Sequence, residues 1–218
     1  MLRISASLLA ADHARLGEEV RRGQAAGVDA FHFDLMDGHY VPNLALSPRH
    51  LAALRPHTEL PFHVHLELAN PDAVLMDFPE LRADLIFVQW DTLQTPEDTF
   101  ARIRDVGARV GLSLNPGDPL EPVHGLLGEL DMLLLLSVHP GFGGQKMVFG
   151  TMARVAQALD MIAETAPGLP LAVDGGIQED SALQLGEMGV SWVVIGTALY
   201  GQRDMTGFVA HIKGESRR

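Results

Sequence analysis

His32-Phe33-Asp34-Leu35-Met36-Asp37-Gly38-His39-Tyr40-Val41-Pro42-Asn43 opens as a strand and closes as a turn. Apolar Phe31, Phe33 and Leu35 interleave with polar groups before Gly38 and Pro42 interrupt the run. The polar side chains therefore stand where a buried strand gives way to a loop. Side chains on a strand alternate faces, so His32 and Asp34 point the same way, one pleat apart, and can share a ligand. A plain turn at Asp37-Gly38 beside a hydrogen-bonded core histidine explains this stretch alone equally well. The other strand ends must decide.

Working outward, short apolar runs recur about every 25 to 30 residues, each followed by a helix-like stretch, which is the rhythm of repeated βα units. The spacing predicts eight strands, at 3–8, 30–35, 61–66, 85–89, 109–114, 132–138, 169–173 and 192–195. Runs that are apolar throughout suit parallel strands covered on both faces. Between them, Asp12 is placed to cap a helix carrying Leu16 and Val20, and Asn70-Pro71 and Thr95-Pro96 set a cap residue before proline. Thr95 with Asp98 has the spacing of a capping box. Gly27, Gly107 and Gly189 fall where glycine ends a helix, and Ala83-Asp84 makes the corresponding handover before strand four.

Strands alternating with helices over 218 residues, with no linker or low-complexity run, predict an α/β fold. The architecture expected is a closed (β/α)8 TIM barrel occupying 1–218 as a single domain. An open doubly wound sheet is the alternative, and it would need a topological switch point; the first βα turn carries no GxGxxG.

A hydrophobic fraction of 47% with 20% charged residues is that of an ordinary globular protein. The formal net charge of −12, with only short basic pairs such as Arg21-Arg22 and Arg217-Arg218, argues against a nucleic-acid partner. A small anionic substrate stays open, because backbone N–H groups bind phosphate locally whatever the global charge. The absence of cysteine removes disulfides, thiolate nucleophiles and Cys-based zinc sites, so any metal must use His, Asp or Glu. No leader-like segment or membrane-length apolar run is apparent, which predicts a cytoplasmic protein without a membrane partner.

Strand C-terminal ends of such a barrel converge on one mouth. There they deliver His32, Asp34, His65 and Asp174, two imidazoles and two carboxylates from strands two, three and seven. That set suits one divalent ion, Zn²⁺ first, with Mn²⁺, Fe²⁺ or Co²⁺ also accepted. A second group is glycine-rich: Gly141-Phe142-Gly143-Gly144 after strand six, Gly175-Gly176 after strand seven and Gly196-Thr197 after strand eight. Loops without side chains let backbone N–H groups close around phosphate, and the loops after strands seven and eight are the usual place for it. Each pair alone is a tight turn; three neighbouring ones predict a phosphate cradle. A metal beside two carboxylates and a phosphate grip suits proton abstraction next to the carbonyl of a sugar phosphate, through a metal-stabilised enediolate. Two acids on opposite faces, Asp34 and Asp174, then give epimerisation.

At these residues the chain resembles the ribulose-phosphate 3-epimerase family nearly end to end. The resemblance rests on Ser7-Leu8-Leu9, the segment from His32 to Asn43, Val64-His65-Leu66, Pro140 to Lys146, Val173 to Ile177 and Gly196-Thr197-Ala198. It implies a homo-oligomeric barrel that interconverts ribulose 5-phosphate and xylulose 5-phosphate. It implies His32, Asp34, His65 and Asp174 as metal ligands, Asp34 as proton acceptor and Asp174 as proton donor. Ser7, His65 and Met36 would touch the sugar, and Gly141, Phe142, Gly143, Gly144, Gly175, Gly176, Gly196 and Thr197 would surround its phosphate.

Several positions depart from the family pattern. Glu67 and Leu136 replace methionines, Ala6 replaces a proline, His63 replaces an aspartate, and Gln89-Trp90-Asp91 replaces a His-Ala/Pro-Glu pattern. Glu67 lies on the His65 face and is expected to raise the pKa of a neighbouring carboxylate. The run from Pro42 to Pro48 is more similar to the allulose-6-phosphate 3-epimerase branch, which makes that hexose phosphate the alternative substrate. A sugar-phosphate binder that has lost turnover, and an indole- or orotidine-type phosphate-binding barrel, are the rival functions.

Overall fold

The computed structural model describes residues 1–75 and 83–215. Parallel strands β1 (Arg3–Ser7), β2 (Ala30–Met36), β3 (Phe62–Glu67), β4 (Leu85–Gln89), β5 (Arg109–Leu114), β6 (Met132–Leu136), β7 (Leu171–Asp174) and β8 (Trp192–Ile195) form one closed barrel in sequence order. Closure is made by β8 pairing with β1, with Val193 opposite Ile4. The expected strands agree with these to within a residue or two, and the open sheet is excluded.

Each strand is buried because it faces two apolar layers. Phe31, Phe33 and Leu35 on β2 point outward into the layer beneath the helices, with Val64, Leu66, Val88 and Leu112. Ala30, Leu85, Phe87, Met132, Leu134 and Trp192 fill the barrel interior. Gly111 is required by that packing: a Cβ there would stand 2.3 Å from Cδ1 of Phe87. The ring occupies the space a side chain would take.

The helices are α1 (Leu16–Ala26), α2 (Pro48–Leu54), α3 (Asp72–Leu75), α4 (Pro96–Asp105), α5 (Thr151–Thr165), α6 (Glu179–Met188), α7 (Thr197–Tyr200) and α8 (Met205–Ile212). Gly27 and Gly189 end α1 and α6 in the left-handed conformation, as expected. Two local expectations are corrected. The stretch between β5 and β6 is a 3₁₀ helix, Glu121–Glu129, whose Pro122, Gly125 and Gly128 disfavour an α-helix. Thr95 makes no side-chain cap; its carbonyl, not its hydroxyl, takes the Asp98 N–H at 3.1 Å. Asp12 does cap, accepting from Ala14 N at 3.0 Å, but it caps a 3₁₀ turn (His13–Arg15) that leads into α1. Of the basic pairs, Arg217-Arg218 lies outside the described residues.

A repeated tie appears at the strand starts. Asp29, Asp84 and Asp131, each just before an even-numbered strand, accept from Ile4 N, Phe62 N and Val110 N of the preceding strand, all at 2.8 Å. These carboxylates satisfy backbone donors that the parallel ladder leaves unpaired at its edge.

Candidate active site

The strands deliver the four expected ligands to one point. His32 Nε2 lies 3.1 Å from Asp34 Oδ1 and 3.6 Å from Asp174 Oδ2, and His65 Nδ1 lies 3.3 Å from Asp34 Oδ1. One donor atom from each of the four falls within 4.8 Å of every other. The fold is responsible: β2 and β3 are neighbours with Asp34 opposite His65, and β7 faces them across the barrel. Ser7 at the end of β1 donates to Asp34 Oδ2 at 3.2 Å, which steadies that carboxylate.

These residues fit a divalent ion on their own geometry. Two imidazole nitrogens and two carboxylate oxygens converge, and the fully buried His32 Nε2 is turned toward both carboxylates without a well-aligned hydrogen bond to either. A mixed nitrogen and oxygen set of this kind suits a borderline cation.

The acids are held in different states. Burial disfavours charge on Asp34, but His32 and His65 outweigh it and keep its pKa far below the usual carboxylate range. Burial, together with the charge of Asp34, pushes Asp174 up to about 7. Burial is also the main reason that Glu67 is pushed up to about 9, with Asp34 and Asp174 adding to it. The expectation for Glu67 is thus modified. It holds a proton itself, and the carboxylate charge that raises Asp174 is that of Asp34. Burial lowers the pKa of His65, and the two aspartates raise that of His32 against the opposing effect of burial.

Above this cluster opens a cavity of about 670 Å³, counting its mouth. Its wall includes Ser7, Asp34, Met36, Glu67, Leu136 and Asp174. It also includes Gly141, Phe142, Gly143, Gly144, Gly175, Gly176, Gly196 and Thr197, so the glycine group and the acids share one chamber. His32 and His65 are fully buried and lie outside the lining. Gly176 is where glycine is indispensable: at φ +65° a Cβ would approach Met147 N to 2.5 Å and Gln145 O to 2.8 Å. The loops after β6 and β7 therefore touch through bare backbone. Gln145 Nε2 ties the β6 loop to itself through His139 O at 2.7 Å and Phe142 O at 2.8 Å. Asn43 Nδ2 donates to Gly141 O at 2.7 Å and binds it to the β2 loop.

Sequence reasoning missed two features of the mouth. Tyr40 donates its hydroxyl to Asp91 Oδ1 at 2.9 Å, and Asn115 Nδ2 donates to the same hydroxyl at 2.9 Å, which joins the loops after β2, β4 and β5. Nothing local in the sequence signals this contact. Leu9, Ala10, Val138 and Ile177 also line the cavity; each directly follows or nears a strand end and was legible by position only.

The ribulose-phosphate 3-epimerase family model matches residues 3–200. A ribulose-phosphate 3-epimerase of Bacillus subtilis is 35% identical over 215 residues, covering 98% of this chain and 99% of that protein. Ribulose-phosphate 3-epimerase 1 of Cupriavidus necator is 40% identical over 210 residues, covering 94% and 87%. Among solved structures, phosphoribosyl anthranilate isomerase from Thermus thermophilus aligns with a TM-score of 0.69 at 14% identity, covering 97% of this chain and 98% of that one. Orotidine 5'-phosphate decarboxylase from Pyrococcus horikoshii aligns with a TM-score of 0.67 at 12% identity, covering 98% and 100%. Those two likenesses concern the fold. Whole-length identity to the epimerases, together with the clustered acids and histidines at the barrel mouth, places the chain in the ribulose-phosphate 3-epimerase family.

Proposed function

We propose that this chain inverts C3 of D-ribulose 5-phosphate to give D-xylulose 5-phosphate by two-base proton transfer. The observation that carries the reading is the convergence of Asp34 and Asp174 on His32 from facing strands, at the floor of a cavity walled by glycine loops. His32, Asp34, His65 and Asp174 would hold one divalent ion, which supplies Lewis acidity at the ketose carbonyl when bound. Asp34, kept ionised and steadied by Ser7, takes the C3 proton; Asp174 returns a proton to the opposite face. Acids with pKa values pushed apart suit such complementary roles. The loops at Gly141 to Gly144, Gly175-Gly176 and Gly196-Thr197 surround the phosphate and offer it backbone N–H groups beyond that of Gly141, which faces Glu67, while Met36 and Phe142 help close the cavity over the sugar. His65 contributes by holding the ion and orienting Asp34.

A coupled assay on ribulose 5-phosphate in the presence of Zn²⁺, Mn²⁺, Fe²⁺ or Co²⁺ tests this, together with hydrogen exchange at C3 in deuterated water. Absence of both turnover and exchange would falsify it. Faster turnover of allulose 6-phosphate would move the substrate to the hexose alternative. Metal analysis of the purified protein tests zinc as the native ion, and light scattering tests the homo-oligomer, for which exposed Leu44 and Phe149 offer apolar surface. Among the described residues no helix is long and apolar enough to cross a membrane; fractionation of the native cell tests the cytoplasmic address.

A further inference from the structure

We infer that Glu67 is a specificity-determining residue that hydrogen-bonds the hydroxyl group on C1 of the ketose, at the end remote from the phosphate. The inference rests on the proposed function, because it takes the phosphate to lie on the glycine loops.

In a ring of eight strands β3 stands opposite β7. A ketose anchored by its phosphate at the β7 and β8 loops, with C2 and C3 over Asp34 and Asp174, extends its C1 end toward β3. Glu67 is the last residue of that strand and lines the cavity. Its carboxyl is buried, with Oε1 3.7 Å from His65 Nδ1, and it faces the Gly141 N–H at the β6 end of the glycine loop, which leaves Gly143, Gly144 and the loops after β7 and β8 for the phosphate. Oε2 has no hydrogen-bond partner among the described residues.

A buried carboxyl oxygen left unsatisfied is costly, and a hydroxyl entering the cavity is a suitable partner. The other strand-end side chains lining the cavity, the two aspartates apart, offer no substitute: Met36, its register partner on β2, Leu136 and Val194 are apolar, and Ser7 is already engaged with Asp34. A site whose polar group is matched to a substrate hydroxyl discriminates against the analogue that lacks it.

The test compares ribulose 5-phosphate with 1-deoxy-D-ribulose 5-phosphate on the same preparations of the wild type, Glu67→Gln and Glu67→Met. The ratio of the two kcat/KM values cancels differences in folded fraction and metal occupancy. The wild type should prefer the hydroxylated substrate by about tenfold to a hundredfold. Glu67→Gln should keep most of that ratio, and Glu67→Met should reduce it to within about threefold of unity. An undiminished ratio in Glu67→Met overturns the assignment of Glu67 while leaving the epimerase reading intact. Failure of the wild type to turn over ribulose 5-phosphate at all would overturn both.

Discussion

His63 and His65 sit two residues apart on β3, point into the same barrel and are both fully enclosed, yet their surroundings give them opposite characters. His65 Nδ1 meets Asp34 and Glu67, at 3.3 and 3.7 Å. His63, one layer deeper, has its Nδ1 3.2 Å from Ser5 Oγ and its ring against Trp192 at 4.8 Å between centroids. Burial drives its pKa well below the ordinary histidine value, so it is neutral and structural. A buried polar residue in this barrel takes its role from the carboxylates within reach. The lower interior, with Phe87, Met132 and Trp192, supplies none.

The largest effects should come from the carboxylates that distinguish the two layers. Asp34→Asn and Asp174→Asn should each lower kcat by about a thousandfold or more while melting remains cooperative. Wild-type turnover in either variant would break the two-base assignment. Next, His65→Ala should lose about a hundredfold in metal affinity, measured by competition with a chelator, whereas His63→Leu should keep its metal and cost roughly 1 kcal/mol of stability. Equal metal loss in both would erase the distinction between the layers.

A third test concerns the price of the acidic layer in the metal-free protein. The folded pKa of Asp174, about 7, lies above the unfolded carboxylate value, so the proton it binds stabilises the fold at low pH. That contribution is lost as pH rises from the unfolded pKa through about 7. Metal-free Asp174→Asn should therefore be more stable than metal-free wild type at pH 8, by roughly 1–3 kcal/mol in urea melts, with the gap closing in acid. A gap independent of pH would show that Asp174 is not strained there.

The smallest effects extend the same rule to the surface. Asp131, bonded to Val110 N, should cost about 1 kcal/mol when changed to alanine. Thr95→Ala, which removes a side chain that makes no cap, should stay within about 0.5 kcal/mol.

Much of this architecture is legible in the residue order. The strand ends follow from apolar runs that recur about every 25 to 30 residues, the shared face of His32 and Asp34 from alternation along β2, and the four candidate ligands from their place at those strand ends. The βα rhythm of the neighbouring segments predicts an α-helix after β5, and the 3₁₀ helix found there follows from Pro122, Gly125 and Gly128, which that rhythm does not weigh. The strand-start ties of Asp29, Asp84 and Asp131 join residues more than twenty positions apart, and no local pattern reports them.

By itself, then, the amino-acid order determined which side chains face inward and at which end of each strand the acids, imidazoles and glycines lie. Only closure of the barrel decided that β2, β3 and β7 bring a donor atom from each of the four candidate ligands within 4.8 Å of every other, that the pKa of Asp34 is lowered while those of Asp174 and Glu67 are raised, and that His63 stays apart from them. The physical reason is range: side-chain alternation is set between adjacent residues, whereas burial and charge–charge energies depend on distances across the barrel that no single strand contains.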